Sequence, residues 1–383
     1  MKNISDKIAN DRLYSLDALR GFDMLWIIGL PPIINSLAKL FHYDWGGGFA
    51  RQMEHVPWEG FHFYDLIFPL FMFIAGVAIP FSIKSKLKKG IPKKELILKA
   101  CKRMLILIVL GILYNGTFRD GFANARYASI LGQIGIAYFF CFLIVLYSKS
   151  VLTYIYWLTG ILAGISILQL FVPVPGIGAG ILTPEGCING YIDRMLLPGR
   201  LAYGHNGMLP SNSMNGIYDA LGYLSTISAI GITLLGAISG HILKETKTGE
   251  YRKVLILSTI GISLIIISWP LSHYYPIIKN CWTSTYNFRA GGISLILMAL
   301  FYLIIDVWKI RRWAFPLRII GMNSIFIYLI RVIIPISIVV EFFIGWTNLP
   351  NGNTKELLHS IGYLSAEWLL LYFMYKRKIF MKV

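Results

Sequence analysis

Polar residues interrupt this chain at intervals that leave apolar runs of about twenty residues, the length needed to cross roughly 30 Å of hydrocarbon. Ten such runs are legible, at 16–37, 65–83, 96–114, 129–147, 151–172, 218–243, 254–271, 291–308, 319–343 and 357–375. The pattern predicts an all-α fold, a polytopic integral membrane helical bundle of about ten transmembrane helices. One membrane domain, 1–383, covers the sequence, with no low-complexity tract and no clear internal repeat.

Composition agrees with that class. Of the 383 residues 56% are hydrophobic and only 14% charged, against about 25% charged in soluble domains. The formal net charge of +17 invites a nucleic-acid partner, but the placement of the cations argues against one. They gather in alternate connections: Lys84 to Arg103, then Lys244 to Lys253, then Lys309 to Arg318, with Lys376, Arg377, Lys378 and Lys382 in the tail and Lys2, Lys7 and Arg12 at the start. If each run crosses once, all of these fall on one side. That is the positive-inside pattern, and it predicts both ends in the cytosol. The partner such loops meet is the anionic membrane lipid surface rather than nucleic acid. The first run is too long for a signal-peptide core and begins among Asp11 and Asp17, so no cleavable signal is expected.

The outward connections carry more chemistry than loops need. The first holds His42, Asp44, the turn Gly46-Gly47-Gly48, Glu54, His55, Trp58, Glu59 and His62. The third, about 173–217, is longer than structureless loops usually are and keeps Tyr191, Met195, Leu196, Leu197 and Tyr203, so it is expected to pack over the membrane domain. The fourth, 272–288, reads SHYYPIIKNCWTSTYNF. Inside the runs lie Asp17, Arg20, Asp23, Gln133 and Asn323. Asp17 and Arg20 share a helix face; they form a functional pair or sit at the cytosolic interface. Cys187 and Cys281 both fall on outer connections, where an oxidising side would let them pair and a reducing one would leave two thiols. No metal-ligand spacing is present.

Several segments then form an ordered series. RLYSLDALRGFDM (12–24) is followed by HVPWEGFHFYDLIFPLFMFIAGVAIPFS (55–82), KRMLILIVLGILYNG (102–116), RYASILGQIGIAYF (126–139), GYIDRMLLPG (190–199), YPIIKNCWTSTY (275–286) and GMNSIFIY (321–328). The series resembles the heparan-alpha-glucosaminide N-acetyltransferase family of transmembrane acyltransferases, in its bacterial branch, along nearly the whole chain. The resemblance implies a multi-pass enzyme of the bacterial inner membrane that takes acetyl from cytosolic acetyl-CoA and passes it to an amino sugar or glycan on the outer side. It is compatible with a homodimer. The family's essential histidine precedes a Trp, Gly, Asp and Pro in fixed order, which here are Trp58, Gly60, Asp65 and Pro69, so the resemblance implies His55. A companion Asn lies near the outer end of the family's first helix. Asp44 keeps its spacing to the histidine and Asn35 keeps its residue type, and both stand as candidates.

The residues support His55 independently. Acetyl transfer to an amine needs a base or nucleophile that works near neutral pH, for which imidazole is best suited. Asp65 is expected near the outward N-terminus of the second helix, in the catalytic space that the positive helix end faces or as a simple cap, while Glu54 and Glu59 flank His55 and are placed to orient its ring. Lys279, Trp282 and Thr283 are expected to line the pocket, with Trp282 alternatively an anchor at the membrane interface, and Arg20, Lys102, Arg103, Arg318 and Asn323 are the candidates on the acetyl-CoA side. General-base and covalent acetyl-histidine routes both remain open. The alternative function is a secondary transporter or flippase without acyl transfer, to which intramembrane polar groups and breaks such as Pro31-Pro32 are suited; a scaffold protein is the third.

Overall fold

A computed structural model describes residues 13–40, 48–122, 124–204, 207–210, 213–334, 336–344 and 352–381. The elements, in order, are α1 (Tyr14–Ile28), α2 (Leu30–Leu40), the short α3 (Gly48–Arg51), a 3-10 turn (Phe63–Leu66) that runs into α4 (Ile67–Lys88), α5 (Lys93–Tyr114), α6 (Thr117–Asp120), α7 (Ile130–Tyr147) and α8 (Val151–Phe171). The short α9 (Ile188–Leu196) and a two-residue hairpin, β1 (Tyr203–Gly204) with β2 (Gly207–Met208), lie in the long third outer connection. Then follow α10 (Tyr223–Lys244), α11 (Glu250–Ser272), α12 (Ser284–Tyr302) with a π-turn (Leu303–Val307), α13 (Phe315–Met322), α14 (Ser324–Ile333), α15 (Ile336–Ile344) and α16 (Asn353–Lys376).

Every predicted apolar run is helical where described, and the chain is predominantly α-helical. Among the described residues, seven helices are long and apolar enough to cross a membrane, or nine if each of two bent pairs is one span. The expectation of about ten differs at 96–114. That run is helical within α5 and as apolar as several of the others, but Lys99, Lys102 and Arg103 set three charges into its first half. Two runs are broken rather than straight. α1 and α2 meet at 56°, because Pro31 and Pro32 lack the N–H groups that would continue the ladder from α1 and are tolerated only in a first turn. α13 and α14 meet at 68° at Asn323. That residue's amide is fully used, donating to Ile379 O (3.1 Å) and accepting from Met381 N (3.0 Å), so it pins the tail to the break.

Helices packed in lipid gain little from the hydrophobic effect between one another, so close backbone approach through small residues matters more. α4 and α10, both largely buried, form the centre on this principle. A Cβ on Gly76 would lie 2.0 Å from Thr233 O, and one on Gly236 2.0 Å from Phe73 O. α1 and α13 meet in the same way, with Gly21 against Leu317 O and Gly321 against Asp17 O; α11 and α12 meet at Gly261 and Gly292. α8, α11 and α16 are mostly exposed and form the apolar outer surface that lipid would cover.

This packing makes a measurable distinction. Gly76→Ala should lower the thermal stability of detergent-solubilised protein by about 1–3 kcal/mol, because the intruding methyl meets backbone that cannot yield locally. Gly160→Ala on α8 meets nothing within 4 Å and should be neutral or stabilising by up to about 1 kcal/mol from helix propensity. Equal melting shifts for the two would contradict the close-packing account.

Candidate active site

The site is built at the outer start of α4. Asp65 is the third residue of the 3-10 turn and is buried at 1% exposure. Its two oxygens do different work. Oδ2 accepts the backbone N–H of His62 (3.0 Å) and of Val56 (3.3 Å), which folds the 55–62 loop back over the helix start as an N-terminal cap. Oδ1 faces His55 Nδ1 at 2.8 Å and accepts from Lys279 Nζ at 3.1 Å. Asp65 is therefore the third-residue arm of a capping box whose N-cap is His62, and it also pairs with the histidine, the place the sequence reading gave to Glu54 and Glu59. Tyr286 donates to the Asp65 carbonyl (2.8 Å), and Gln52 secures the turn by accepting from Phe63 N (2.8 Å).

His55 is held but open. Its side chain is 45% exposed, its ring lies 4.7 Å from that of Tyr64, and Lys279 Nζ approaches Nδ1 at 2.8 Å and Nε2 at 3.3 Å. Lys279 enters from the connection between α11 and α12, which pairs with the His55 loop through a Glu59–Ile278 bridge and Gly60 N→Ile277 O (2.9 Å). Burial pushes the Lys279 ammonium below the usual lysine range against the Asp65 carboxylate, which holds it up.

Polar residues from other helices fix that connection. Cys281 O accepts from Gln169 (2.8 Å) and Asn189 (3.2 Å), Asn280 O accepts from Ser225 (3.2 Å), and Trp282 O accepts from Ser228 (2.6 Å). These contacts hold Trp282 at φ 49, a left-handed backbone rare for a bulky residue. Trp282 is buried and packs edge-on against Tyr286, so it braces the site from behind rather than lining it.

The described part of the third outer connection packs over this assembly, as expected. Trp58 donates to Leu182 O (2.7 Å) and meets Tyr218 edge-on. Arg126 grips Asp219 through two bonds of 2.8 and 2.7 Å, both side chains buried. Asp193 takes the N–H groups of Tyr223 (3.1 Å) and Asp219 (3.3 Å), and burial pushes its carboxyl up to about 7. Cys187 and Cys281 are fully buried free thiols in one small cluster with Ile278.

The other predicted residues lie elsewhere. Asn35 lines a separate polar groove of about 630 Å³ between α2 and α16, with Lys39, Lys355, Glu356 and His359. Asp44, like His42 and His205, lies outside the described residues. Arg20 pairs with Asp17 at 3.3 Å, Arg103 stacks on Tyr138 at 4.2 Å, Lys102 is exposed and Asn323 is committed to the tail. The sequence reading missed Tyr64, whose place beside Asp65 on a turn that starts a helix was the available signal. It also missed an intramembrane pair, Arg331 with the buried Glu367 at 3.2 Å; ionisable residues inside two apolar runs were signal enough.

The cysteine geometry is testable. Native protein should resist thiol alkylation at both positions, and mild oxidation should join the two in one cross-linked peptide. Separate alkylation of both after oxidation and unfolding would contradict their contact.

No protein-family model matches this chain. Among curated proteins it is similar to the heparan-alpha-glucosaminide N-acetyltransferase of Homo sapiens, 28% identical over 423 residues. The mouse (Mus musculus) protein of the same name is 28% identical over 424 residues. Each alignment covers 97% of this chain, which spans only about three fifths of the length of the relatives it matches (60% and 61%). The family-level resemblance read from the ordered motifs thus extends, as similarity to proteins named heparan-alpha-glucosaminide N-acetyltransferase, along nearly all of this sequence.

Proposed function

We propose that this chain is a membrane acetyltransferase that moves acetyl from cytosolic acetyl-CoA to the amine or hydroxyl of an amino sugar or glycan on the outer, periplasmic side of a bacterial inner membrane. The observation that carries the reading is the 2.8 Å pair between an exposed imidazole, His55, and a buried carboxylate, Asp65, in the polar outer cluster. The activity that the relatives are named for supports acyl transfer and an amino-sugar acceptor. A buried carboxylate behind Nδ1 orients the ring and stabilises the cation formed when Nε2 takes a proton. In the general-base route, Nε2 takes the acceptor's proton as its nitrogen or oxygen attacks the thioester carbonyl. The C–S bond then breaks, and the proton passes to the departing thiolate. In the covalent route, Nε2 itself attacks the thioester carbonyl and the C–S bond breaks to release the CoA thiolate; the acceptor then attacks the acetyl-imidazole, the C–N bond to the ring breaks, and the acceptor's proton passes to the freed Nε2.

A narrow apolar cavity of about 20 Å³ lies among Met24, Phe68, Phe71, Ile134, Ser324 and Tyr328, close below Asp65. Asp23 and Gln133, each next in sequence to a lining residue, are buried with no hydrogen-bond partner among the described residues. In this reading, widening of that seam admits the amide-bearing arm of acetyl-CoA, with Arg20, Lys102 and Arg103 toward its phosphates. The broken helices also suit the transporter alternative; labelled acetyl-CoA separates the two, because only an enzyme releases CoA.

His55→Ala should reduce acetyl transfer by at least about a hundredfold while leaving the protein folded, since a loop side chain that is half exposed contributes no core volume. Retention of more than about a tenth of turnover would overturn the assignment, a tenfold loss being only ~1.4 kcal/mol of barrier. Acetyl found on His55 when acceptor is withheld would select the covalent route.

The topology, ten crossings with both ends in the cytosol, predicts that cysteines placed at Lys88, Lys247 and Lys378 react with an impermeant reagent only from the cytosolic side. One at Asn215 should react only from outside. Labelling of positions 88 and 215 from the same side would refute it.

A further inference from the structure

Arg200 follows Gly199 in the third outer connection, and the residue is only 5% exposed. Gly199 makes that placement. It sits at φ 75, and a Cβ there would lie 2.1 Å from Ala125 O, so glycine is what lets the chain close on the segment 125–127. The closure is pinned by the Arg126–Gly199 bridge and by Arg200 N→Ala125 O (3.1 Å). The guanidinium that it buries has no partner among the described residues: Nε and Nη1 are sealed from solvent without a hydrogen bond. The acids around it are already committed. Asp219 accepts from Arg126 Nε (2.8 Å) and Nη2 (2.7 Å), from Leu221 N (3.0 Å) and from Ala202 N (3.2 Å), which fills the roughly four lone-pair sites of a carboxylate. Asp193 takes the Tyr223 and Asp219 amides at the start of α10. Arg194, the third arginine of this cap, donates to Ile217 O.

A guanidinium cannot escape burial by giving up its proton. A buried charge without counter-charge or hydrogen bonds is strongly unfavourable, so a group in this position calls for an acceptor. The planar fork of an arginine matches oxyanions, which it binds through two parallel N–H···O bonds. We propose that Arg200 anchors an oxyanion-binding site in the outer cap, taking a carboxylate, sulfate or phosphate group of a ligand. The site belongs to the same polar face as His55. Arg126 lies 5.7 Å from the ring of Tyr203, Tyr203 stacks on Tyr218 at 5.1 Å, and Tyr218 meets Trp58 of the His55 loop edge-on at 5.1 Å. A row of rings thus joins the Arg200 segment to the histidine. The inference goes beyond acetyl transfer: it concerns binding, and its test needs no turnover.

The test uses the full chain in detergent, with radiolabelled sulfate as the probe in a buffer of weakly coordinating anions at fixed ionic strength. Wild type should bind sulfate saturably, and Arg200→Met should bind it at least about tenfold more weakly, the scale of a lost hydrogen bond to a charged group. Arg200→Lys keeps the charge without the fork and should fall between the two. Sulfate should raise the melting temperature of wild type in a saturating way and leave that of the methionine variant unmoved. Without sulfate the methionine variant should melt at or above wild type, because it removes a buried charge that the protein itself does not meet. Unlabelled glucuronate and phosphatidylglycerol in mixed micelles compete in separate arms. Displacement by the sugar acid assigns the oxyanion to a saccharide, displacement by the lipid assigns it to a headgroup, and displacement by neither assigns a free inorganic anion. No saturable sulfate binding by wild type, or equal binding by the methionine variant, would overturn the proposal. A methionine variant that fails to fold, or that melts well below wild type without sulfate, would overturn it too, since Arg200 would then have its partner within the protein.

Discussion

The Asp65 carboxylate is the point on which the outer half of the molecule is hung. A buried carboxylate is tolerated only if its lone pairs are filled and its charge met. Two loop N–H groups fill Oδ2, and the charge is met at Oδ1 by Lys279 from a connection 214 residues away, with His55 alongside. Satisfying the carboxylate therefore does three things together. It starts α4, closes the 55–62 loop and brings the connection between α11 and α12 to the histidine. Removing it would leave Lys279 buried without its counter-charge, so structure and chemistry at this position do not separate cleanly.

The scaffold behind that point is stiff for a different reason. The central helices touch backbone to backbone at Gly76, Gly236 and Gly240, and little can slide where atoms already meet at van der Waals distance. The outer cap is stiff through polar bonds, above all the Arg126–Asp219 fork, whose loss would strand a buried charge at a cost of about 3–5 kcal/mol. Between these two layers the bent pairs at Gly29 and Asn323 are the discontinuous elements, and both flank the apolar seam below Asp65.

Much of this was legible from residues. Uninterrupted apolar length marks helix regardless of tertiary context, so the ten runs fall on helices, eight of them on a single one and two on broken ones. The bends were less legible: Pro31-Pro32 announces a break, but the Asn323 break depends on a tail residue, Met381, more than fifty positions later. At the site, His55 and Asp65 share a motif and so were found together. Lys279 was placed in the pocket but not against the imidazole, because a contact across 224 residues leaves no local trace. The burial of Trp282 was not legible for a related reason: an aromatic in a polar loop looks exposed until Ser228 and Tyr286 are seen to enclose it. Asn35 matched by residue type, and its helix instead carries it to the groove beside α16.

The distance along the chain between His55 and Lys279 also sets when the site comes into being. Ribosomes add about 5–20 residues per second, so the 224 residues between them take roughly ten to forty-five seconds to make. Over that interval the His55 loop exists while the Asp65 carboxylate lacks its cation, the last of its four partners. The first helices must be inserted and held by their glycine contacts before the cation arrives from the other end of the chain. A nascent chain halted before α11 would thus carry a complete-looking histidine motif without its cation, and assembly of the cluster reports that the connection between α11 and α12 has reached the His55 loop.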